Sequence, residues 1–346
     1  MAPPTMDARG VVRLADKAAF LSDPAAYPGL GGEVKTIETH MSLVFLVGDR
    51  AFKLKKPVRF PYLDFSTLAA RETYCRSELT LNRRLAPDVY LRVARLALTE
   101  EGALALDGEG EAVDWLVAMR RLPADRMLDA LITTHGPETA DVDRLAVALA
   151  RFYDSAQRPL VSPDEYVRRL EAENSYNREI LTRPRFGIDE ARAQSLLDRM
   201  SQALSADRSL LEGRASGRLL VDGHGDLRPE HICFENGVII YDRLEFSSVL
   251  RQVDPVDELA ALATECARLS ADWIGPRLLE RITAALGWPV PGRLYPLHAA
   301  RRALLRARLA LSHLVDAEPR QPEQWAPLAT RYLALAEQAL DRISAG

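Results

Sequence analysis

The sequence predicts an α+β protein of two lobes, in which an antiparallel sheet with one helix precedes a mainly helical C-terminal part. Residues 36–120 contain several β-rich runs that are interrupted by a single helical segment. From residue 125 onward, apolar side chains recur at helical spacing. The exception is residues 218–246, where two short apolar runs flank polar loops. A sheet-rich lobe followed by a helical lobe that contains one polar hairpin is a distinctive order of parts.

The N-terminal lobe begins with a short helical lead-in within residues 1–35. A Gly-Asp-Arg turn at 48–50 separates two β-rich runs and predicts a hairpin. One helix is predicted from Ser66, as its N-cap, to Leu85, because Pro87 ends the run. The expected strands lie at residues 43–47, 51–55, 90–98, 104–106 and 112–119.

The C-terminal lobe is predicted to be helical at 138–157, 163–181 and 188–212, and again after Pro255, with breaks near 287–292 and 319–322. The lobe boundaries follow from this change of pattern. We place the N-lobe at 1–118, a hinge at 119–123 and the C-lobe at 124–346.

Composition excludes several classes of protein. The chain has 346 residues, of which 47% are hydrophobic and 27% charged, and its net charge of -4 does not indicate a nucleic-acid partner. Three dispersed cysteines without a CxxC pair favour a reducing, cytoplasmic setting. The charged N-terminal stretch predicts no signal peptide. No apolar run of about 18 residues predicts a membrane span, so no membrane partner is expected.

The strongest functional signal is a polar loop, HGDLRPEHI at 224–232, followed by the strand VIIYD at 238–242. Phosphoryl transfer needs a carboxylate near the acceptor hydroxyl and polar ligands for a metal on the phosphates. Asp226, His231 and Asp242 supply these groups, and His224 can brace the loop. A single aspartate at a loop end is ordinary, but the whole string in this setting favours function.

These two segments resemble the catalytic and metal-binding loops of the aminoglycoside phosphotransferase superfamily. The segments ETHMSLVFLVGDRAFKLKKPVRFPYLDFST and CRSELTLNRRLAPDVYL resemble, more narrowly, the kinase-like domain that some bacterial proteins fuse to a P-loop ATPase. No GxxxxGK[ST] motif occurs, so a stand-alone version is expected. The resemblance implies a protein-kinase-like fold, with ATP as donor and Mg²⁺ or Mn²⁺ as the metal.

The resemblance also implies roles for individual residues. Asp226 matches the catalytic base and Asp242 the magnesium-binding aspartate. Position 231 matches a metal-binding asparagine but is histidine, which suits softer ions than Mg²⁺, can contact a phosphate, or simply packs in the loop. Apart from the resemblance, Glu245 lies three residues after Asp242 and can bind a second metal or a substrate hydroxyl.

Alternation along the second hairpin strand places Ala51, Lys53 and Lys55 on one face. Lys53 is the first candidate to bind the nucleotide phosphates and Lys55 the second, although both are also compatible with charges on an exposed strand edge. Such a lysine needs a carboxylate partner on the next helix. Spacing does not separate Glu72 from Glu78, and the family pattern points to Glu78.

Further nucleotide contacts are expected at two places. Thr39 and Ser42 lie where the first hairpin would cover the phosphates, but this turn has no glycine and can equally be a simple polar turn. Backbone groups of Val117 and Met119 lie near the predicted hinge and would contact adenine.

Two charged features in the C-terminal lobe have ordinary explanations. Asp254 and Asp257 are expected to brace the catalytic loop or to cap the following helix. A late helix carries four arginines, which we interpret as a solvated amphipathic face rather than a site for an anionic substrate. They are Arg301, Arg302, Arg306 and Arg308.

The sequence therefore predicts transfer of the ATP γ-phosphoryl group to a hydroxyl of a small molecule. It also predicts that the carboxyl groups of Asp226 and Asp242 converge on a cleft opposite the ammonium group of Lys53. One alternative is a nucleotide-binding pseudokinase with a regulatory role, suggested by His231 and by the glycine-free turn. The other is a metal-dependent phosphohydrolase.

Overall fold

The computed structural model of the chain describes residues 4–6, 11–60, 62–315, 319 and 321–345. The chain folds into two compact units. The first combines Met1–Arg126 with Ile239–Ser248, and the second combines Met127–Val238 with Val249–Gly346. The first unit thus includes the residues that follow the catalytic-loop motif in sequence.

The strands, numbered along the chain, are β1 (Lys35–Glu38), β2 (Ser42–Val47), β3 (Arg50–Lys55), β4 (Arg59–Phe60), β5 (Leu63–Asp64), β6 (Tyr90–Leu98), β7 (Leu104–Leu106), β8 (Glu111–Arg120), β9 (Val221–Asp222), β10 (Ile232–Cys233), β11 (Ile239–Ile240) and β12 (Gln252–Val253). The helices are α1 (Leu14–Leu21), α2 (Leu68–Asn82), α3 (Leu128–Thr134), α4 (Thr139–Asp154), α5 (Pro163–Leu181), α6 (Glu190–Ala206), α7 (Arg208–Ser216), α8 (Ser248–Arg251), α9 (Pro255–Arg268), α10 (Ile274–Leu286), α11 (Leu294–Ser312) and α12 (Trp325–Ala345).

The first unit is built on a six-stranded sheet in the order β1-β2-β3-β8-β6-β7. Each neighbouring pair is antiparallel, which confirms the predicted sheet. The β2–β3 hairpin pairs Ser42 with Lys55 and Val47 with Arg50. Its turn places Gly48 at φ +52, a conformation that glycine adopts at little cost.

Helix α2 follows the β4–β5 hairpin and differs from its predicted bounds. Thr67 is the N-cap, since its hydroxyl accepts the N–H of Ala70 at 3.1 Å. The prediction of Ser66 as the cap was wrong, because the Ser66 N–H and hydroxyl both donate to Asp64 Oδ1. The helix ends at Asn82.

The two faces of this sheet bury different clusters. One face packs Phe45, Leu54 and Leu96 against residues from α1 and the loop after it. The other face packs Ala51 and Val117 with Cys75 of α2. The face that carries Ala51 is therefore the face toward α2, which brings the lysines of β3 to the helix.

The second unit is mainly helical, as predicted, around a core supplied by α5, α6, α7, α11 and α12. The single helix expected at 188–212 is two helices, α6 and α7, because the chain bends at Asp207, whose carboxylate accepts two hydrogen bonds from Arg293. Strands β9 and β12 pair through Val221 with Val253. None of the described helices has both the length and the apolar character that crossing a bilayer requires.

Candidate active site

Lys53 lies in the middle of β3 and contacts two carboxylates. Its Nζ lies 2.9 Å from Glu78 Oε1 of α2 and 2.6 Å from Asp242 Oδ1, which follows β11. Burial by itself lowers the pKa of Lys53, but the charges of Asp242 and Glu78 outweigh it and hold that pKa well above its ordinary value. Lys53 is therefore a charged ammonium group between two acids.

The structure distinguishes the two glutamates of α2 that were candidate partners of Lys53. Glu78 is fully buried toward the sheet, whereas Glu72 lies on the outer side and accepts a hydrogen bond from Arg76 at 2.7 Å. The pair Glu72–Arg76 is an ordinary surface pair four residues apart on one helix. Rotation of the helix about its axis is what brings Glu78 to Lys53.

Lys55 lies in a different environment from Lys53. Its side chain is 1% exposed, and its Nζ donates to Glu78 Oε2 at 2.5 Å and to the carboxylate of Glu245. The same Nζ lies 4.9 Å from the ring centroid of Phe65. Glu245 is thus the counter-ion of Lys55. Because the Lys55 side chain is buried, a ligand from solvent would not reach its ammonium group.

Asp242 adopts a backbone conformation that few residues other than glycine adopt, with φ +60. Its N–H donates to the hydroxyl of Tyr90 at 3.0 Å, and its side chain is 35% exposed. Aspartate tolerates this region better than most residues, and such conformations concentrate at functional sites. The backbone is fixed while the carboxylate stays accessible.

The turn between β1 and β2 is closed by its own polar groups. Thr39 N–H and hydroxyl both donate to the carbonyl of Ser42, and Ser42 N–H donates to the Thr39 hydroxyl at 2.9 Å. Lys56 donates to Glu38 and to the Thr39 carbonyl. These contacts account for the polar residues as a structural turn, so phosphate binding by Thr39 and Ser42 stays a prediction.

Val117 and Met119 lie inside β8, with strands on both sides. Val117 pairs with Lys53 of β3 and with Val93 of β6, and Met119 pairs with Ala51 and Tyr90. Their contacts with adenine would compete with these strand ladders and stay a prediction.

The backbone of the loop that carries Asp226 is held by Glu258 of α9, in the second unit. The Glu258 carboxylate accepts the N–H groups of His224 at 3.1 Å and Gly225 at 2.7 Å, together with the Tyr153 hydroxyl at 2.9 Å. A Cβ on Gly223 would lie 3.0 Å from both carboxylate oxygens, so glycine permits this approach.

Sequence reasoning missed Glu258 and named its neighbours instead. Asp254 does cap α9, since its Oδ1 accepts the N–H of Val256 at 2.9 Å. Asp257 neither braces the loop nor caps the helix, because its carboxylate accepts hydrogen bonds from Arg301 and Arg302. The available signal for Glu258 was its place one residue after Asp257 at the start of the helix.

Two histidines complete the loop. His224 is fully buried, and its Nδ1 accepts the N–H of Asp226 at 3.3 Å, as expected of a brace. His231 Nδ1 lies 2.8 Å from the Asp226 carbonyl, which can only accept, so this nitrogen carries the proton. In the neutral ring the lone pair then lies on Nε2. Histidines that bind metals commonly donate their other N–H to a carbonyl in this way.

The four arginines of α11 do not form a solvated face, and that interpretation was wrong. Arg301 is 3% exposed and pairs with Glu173 and Asp257. The others bind polar groups of neighbouring helices: Arg302 contacts Asp257, Arg306 contacts Glu265 and Arg308 contacts Asn177. The acids come from elements distant in sequence, which is why periodicity did not predict these pairs.

The accessible carboxylate of Asp242 suits a magnesium–nucleotide complex. Among the residues that the structure describes, no group of three or more His, Cys, Asp or Glu side chains is arranged to hold a metal ion alone. Mg²⁺ does not need such a cage, because it is usually held by one or two carboxylates together with substrate phosphates and water. Asp242 has an accessible carboxylate for such a complex, and metal binding by His231 stays a prediction.

No family model matches the chain. Uncharacterized proteins of Mycobacterium tuberculosis and Mycobacterium bovis are 32% identical to it over 312 residues, which is 88% of the chain. The chain spans 59% of the length of these relatives.

Solved structures with the same fold are small-molecule kinases. A choline/ethanolamine kinase family protein from Mesorhizobium loti is similar over 96% of the chain and 100% of its own, with a TM-score of 0.58 and 17% identity. An ethanolamine kinase from Plasmodium vivax covers 88% of the chain and is matched over 81% of its own, with a TM-score of 0.53 and 12% identity. A thermostable mutant of an aminoglycoside phosphotransferase covers 89% of the chain and is matched over 94% of its own, with a TM-score of 0.51 and 15% identity. The chain has the protein-kinase-like α+β fold of these solved structures, which confirms the fold that the sequence predicted.

Proposed function

We propose that the protein is an ATP-dependent phosphotransferase that moves the γ-phosphoryl group to a hydroxyl of a small molecule. The observation that carries this proposal is the charged Lys53 between Glu78 and Asp242. In phosphoryl transfer, a lysine held by a helix glutamate orients the phosphates beside the metal-binding aspartate. A surface lysine would need neither acid.

Each residue then has a defined task. The Lys53 ammonium group binds and orients nucleotide phosphate oxygens, and Asp242 would hold the metal. The metal, when bound, neutralises charge on the phosphates. Asp226 orients the acceptor hydroxyl and takes its proton as the oxygen bonds to phosphorus and the bond to ADP breaks.

The fold neighbours support a nucleotide and a small-molecule acceptor. A thermostable aminoglycoside phosphotransferase with a TM-score of 0.50 was solved as a ternary complex with AMP-PNP and hygromycin B. That pair of ligands belongs to that protein. For this chain, the similarity supports the same class of reaction, and a substrate screen would identify the acceptor.

A reducing compartment such as the cytoplasm suits the protein. Cys75, Cys233 and Cys266 are all buried thiols without a disulfide. Burial raises the pKa of the Cys75 thiol to about 12, which keeps it protonated and unreactive.

The test is ADP release with Mg²⁺ or Mn²⁺ across a panel of hydroxylated metabolites, together with nucleotide binding by thermal shift. We expect Asp226→Ala to bind ADP as the wild type does and to lose at least about 100-fold in kcat, since a general base contributes at least that much. Asp272→Ala, at an exposed loop position in the same unit, is the matched control.

The possible outcomes separate the rival functions. Normal turnover by Asp226→Ala would defeat the assignment. Nucleotide binding without ADP release on any acceptor would favour a pseudokinase, which the histidine at position 231 and the glycine-free turn suggest. Metal-dependent phosphate release from simple esters without ATP would favour a phosphohydrolase.

A further inference from the structure

Two lysines of β3 point toward α2, but only one of them is accessible. The Lys53 side chain is 16% exposed, whereas that of Lys55 is 1% exposed. A kinase site requires one lysine for the phosphates, and Lys53 already contacts Asp242. The second, buried ammonium group needs another explanation.

Lys55 links the sheet to the segment that follows Asp242. Glu78 is shared, with one carboxylate oxygen on Lys53 and the other on Lys55. Lys55 takes its second carboxylate from Glu245, three residues beyond Asp242, and that side chain is only 7% exposed. The chain of contacts therefore runs from Lys53 through Glu78 and Lys55 to Glu245.

The backbone between these points is held as well. Asp242 N–H donates to Tyr90 Oη at 3.0 Å. Asn82, at the end of α2, brackets the next residue, because its Oδ1 accepts the Arg243 N–H at 2.7 Å and its Nδ2 donates to the Arg243 carbonyl at 3.1 Å. Both amide groups are thus fixed by side chains of the first unit.

An aromatic cluster closes the far end of the segment. Phe246 packs edge-on against Phe65 with ring centroids 6.4 Å apart, and against Tyr62 at 5.9 Å. Phe65 also lies against the Lys55 ammonium group. The pair Lys55–Glu245 therefore lies between a hydrogen-bonded backbone and an aromatic anchor.

We propose that Lys55 and Glu245 are positioning residues that hold Asp242 beside Lys53 before nucleotide binds. Glu245 then acts as the counter-ion of Lys55 and not as a ligand of a second metal. This inference rests on the proposed function, since it concerns how the metal-binding aspartate of that function is presented.

Stability alone does not explain such a pair. Burying two charges costs desolvation that their attraction only partly repays, and apolar residues of similar size are often equally stable or better. In some proteins a buried ion pair defines a geometry that apolar packing does not, because both charges are satisfied only when the two groups meet. Here that geometry fixes the residues next to Asp242.

The experiment compares Lys55→Met, Glu245→Gln and the double variant with wild type. Glu72→Gln is the matched control, since it makes the same chemical change in an exposed pair on α2. Hydrogen exchange of the Asp242 and Arg243 amides is measured in the nucleotide-free protein. ADP affinity is measured with Mg²⁺ and again with EDTA in its place.

We expect the two amides to exchange at least about tenfold faster in both single variants, since each variant removes a charged hydrogen bond that holds the segment. We expect ADP affinity to fall in Mg²⁺ and to stay within about twofold in EDTA, because Lys53 remains and only the metal contribution of Asp242 is lost. The double variant should resemble the single ones, as two residues acting as one unit do.

Equal losses of affinity with and without Mg²⁺, or no change in either, would overturn the inference, as would amide exchange at the wild-type rate. If Lys55→Met does not fold, Glu245→Gln carries the test alone, because it keeps a neutral hydrogen-bonding group beside Lys55. A wild-type protein that binds no nucleotide would instead refute the proposed function, so the two failures are distinguishable.

Discussion

At the scale of single residues, Glu258 shows how a buried carboxylate can hold the backbone of the loop that carries Asp226. It accepts two backbone N–H groups from His224 and Gly225 and one hydroxyl group from Tyr153. Burial raises the pKa of Glu258, and these hydrogen bonds to the ionised form oppose that rise. The residue positions the loop and does not touch the proposed reacting atoms.

Glu258→Gln should weaken the loop, because the new amide group would place a donor where the carboxylate accepted a hydrogen bond. We expect the free energy of unfolding to fall by about 1–3 kcal/mol and kcat to fall by about tenfold or more, with ADP affinity unchanged. Urea unfolding and steady-state kinetics measure the two effects. Tyr153→Phe, which removes one donor only, should have a smaller effect on both, and wild-type values for Glu258→Gln would contradict this role.

His298 of α11 predicts a dependence of stability on pH. It is fully buried, and Asp257 Oδ1 lies 3.5 Å from its Nδ1. Burial lowers its pKa to about 4, against the opposing charge of Asp257. Histidine in the unfolded chain titrates near pH 6.5, so the unfolded state binds the proton first as pH falls. Stability should therefore decrease from about pH 6.5 down to about pH 4, by about 3 kcal/mol from this residue.

The measurement is urea unfolding at a series of pH values between 7 and 4 for wild type and His298→Leu. The variant should show a flatter dependence, and the difference between the two curves isolates the histidine from other titrating groups. His135→Gln, at an exposed position, should retain the wild-type slope. Parallel curves for wild type and His298→Leu would contradict the prediction.

At the scale of elements, a buried carboxylate fastens the N-terminal helix to the sheet. Asp114 of β8 is 1% exposed and accepts hydrogen bonds from Lys17 of α1 and Arg71 of α2, each at 2.7 Å. One acid therefore serves two cations from elements on different parts of the chain. Sequence alone shows three charged residues with nothing to link them.

Asp114→Asn should destabilise the first unit strongly, since two buried cations would lose their shared counter-ion. We expect the free energy of unfolding to fall by about 3–5 kcal/mol, the typical cost of breaking a buried pair from one side. Asp49→Asn, which alters an exposed pair with Arg50, should change stability by less than about 1 kcal/mol. Denaturant midpoints compare the two, and equal effects would contradict the role of Asp114.

At the scale of the whole molecule, ligand binding and stability are linked. Nucleotide that binds only the folded protein stabilises it, by about 2.7 kcal/mol at 100 times its Kd. We expect Mg²⁺–ADP to raise Tm by several degrees, with a smaller rise for ADP in EDTA. Asp242→Asn should remove the difference between the two conditions, because it loses the carboxylate that is proposed to bind the metal. Scanning fluorimetry measures these changes in Tm. A wild-type Tm that does not rise when Mg²⁺–ADP is added would contradict the prediction.

Local sequence determined much of the fold. The two-residue alternation around residues 43–55 and the Gly48 turn predicted the β2–β3 hairpin, because strand period and turn chemistry act over neighbouring residues. The run His224–Gly225–Asp226 predicted a catalytic loop, and that role stays a prediction. The ends of helices were predicted less accurately, since adjacent residues such as Ser66 and Thr67 can both act as N-caps.

Tertiary structure alone decided which charges meet. The choice of Glu78 over Glu72 depends on how α2 is rotated against the sheet, and spacing along one helix does not contain that information. Lys55 and Glu245 are 190 residues apart, and Arg301, Arg302 and Arg306 of α11 pair with acids on other helices. Ion pairs of this kind form between elements whose relative placement is set by packing of the core, so periodicity predicts each partner's face but not the partner.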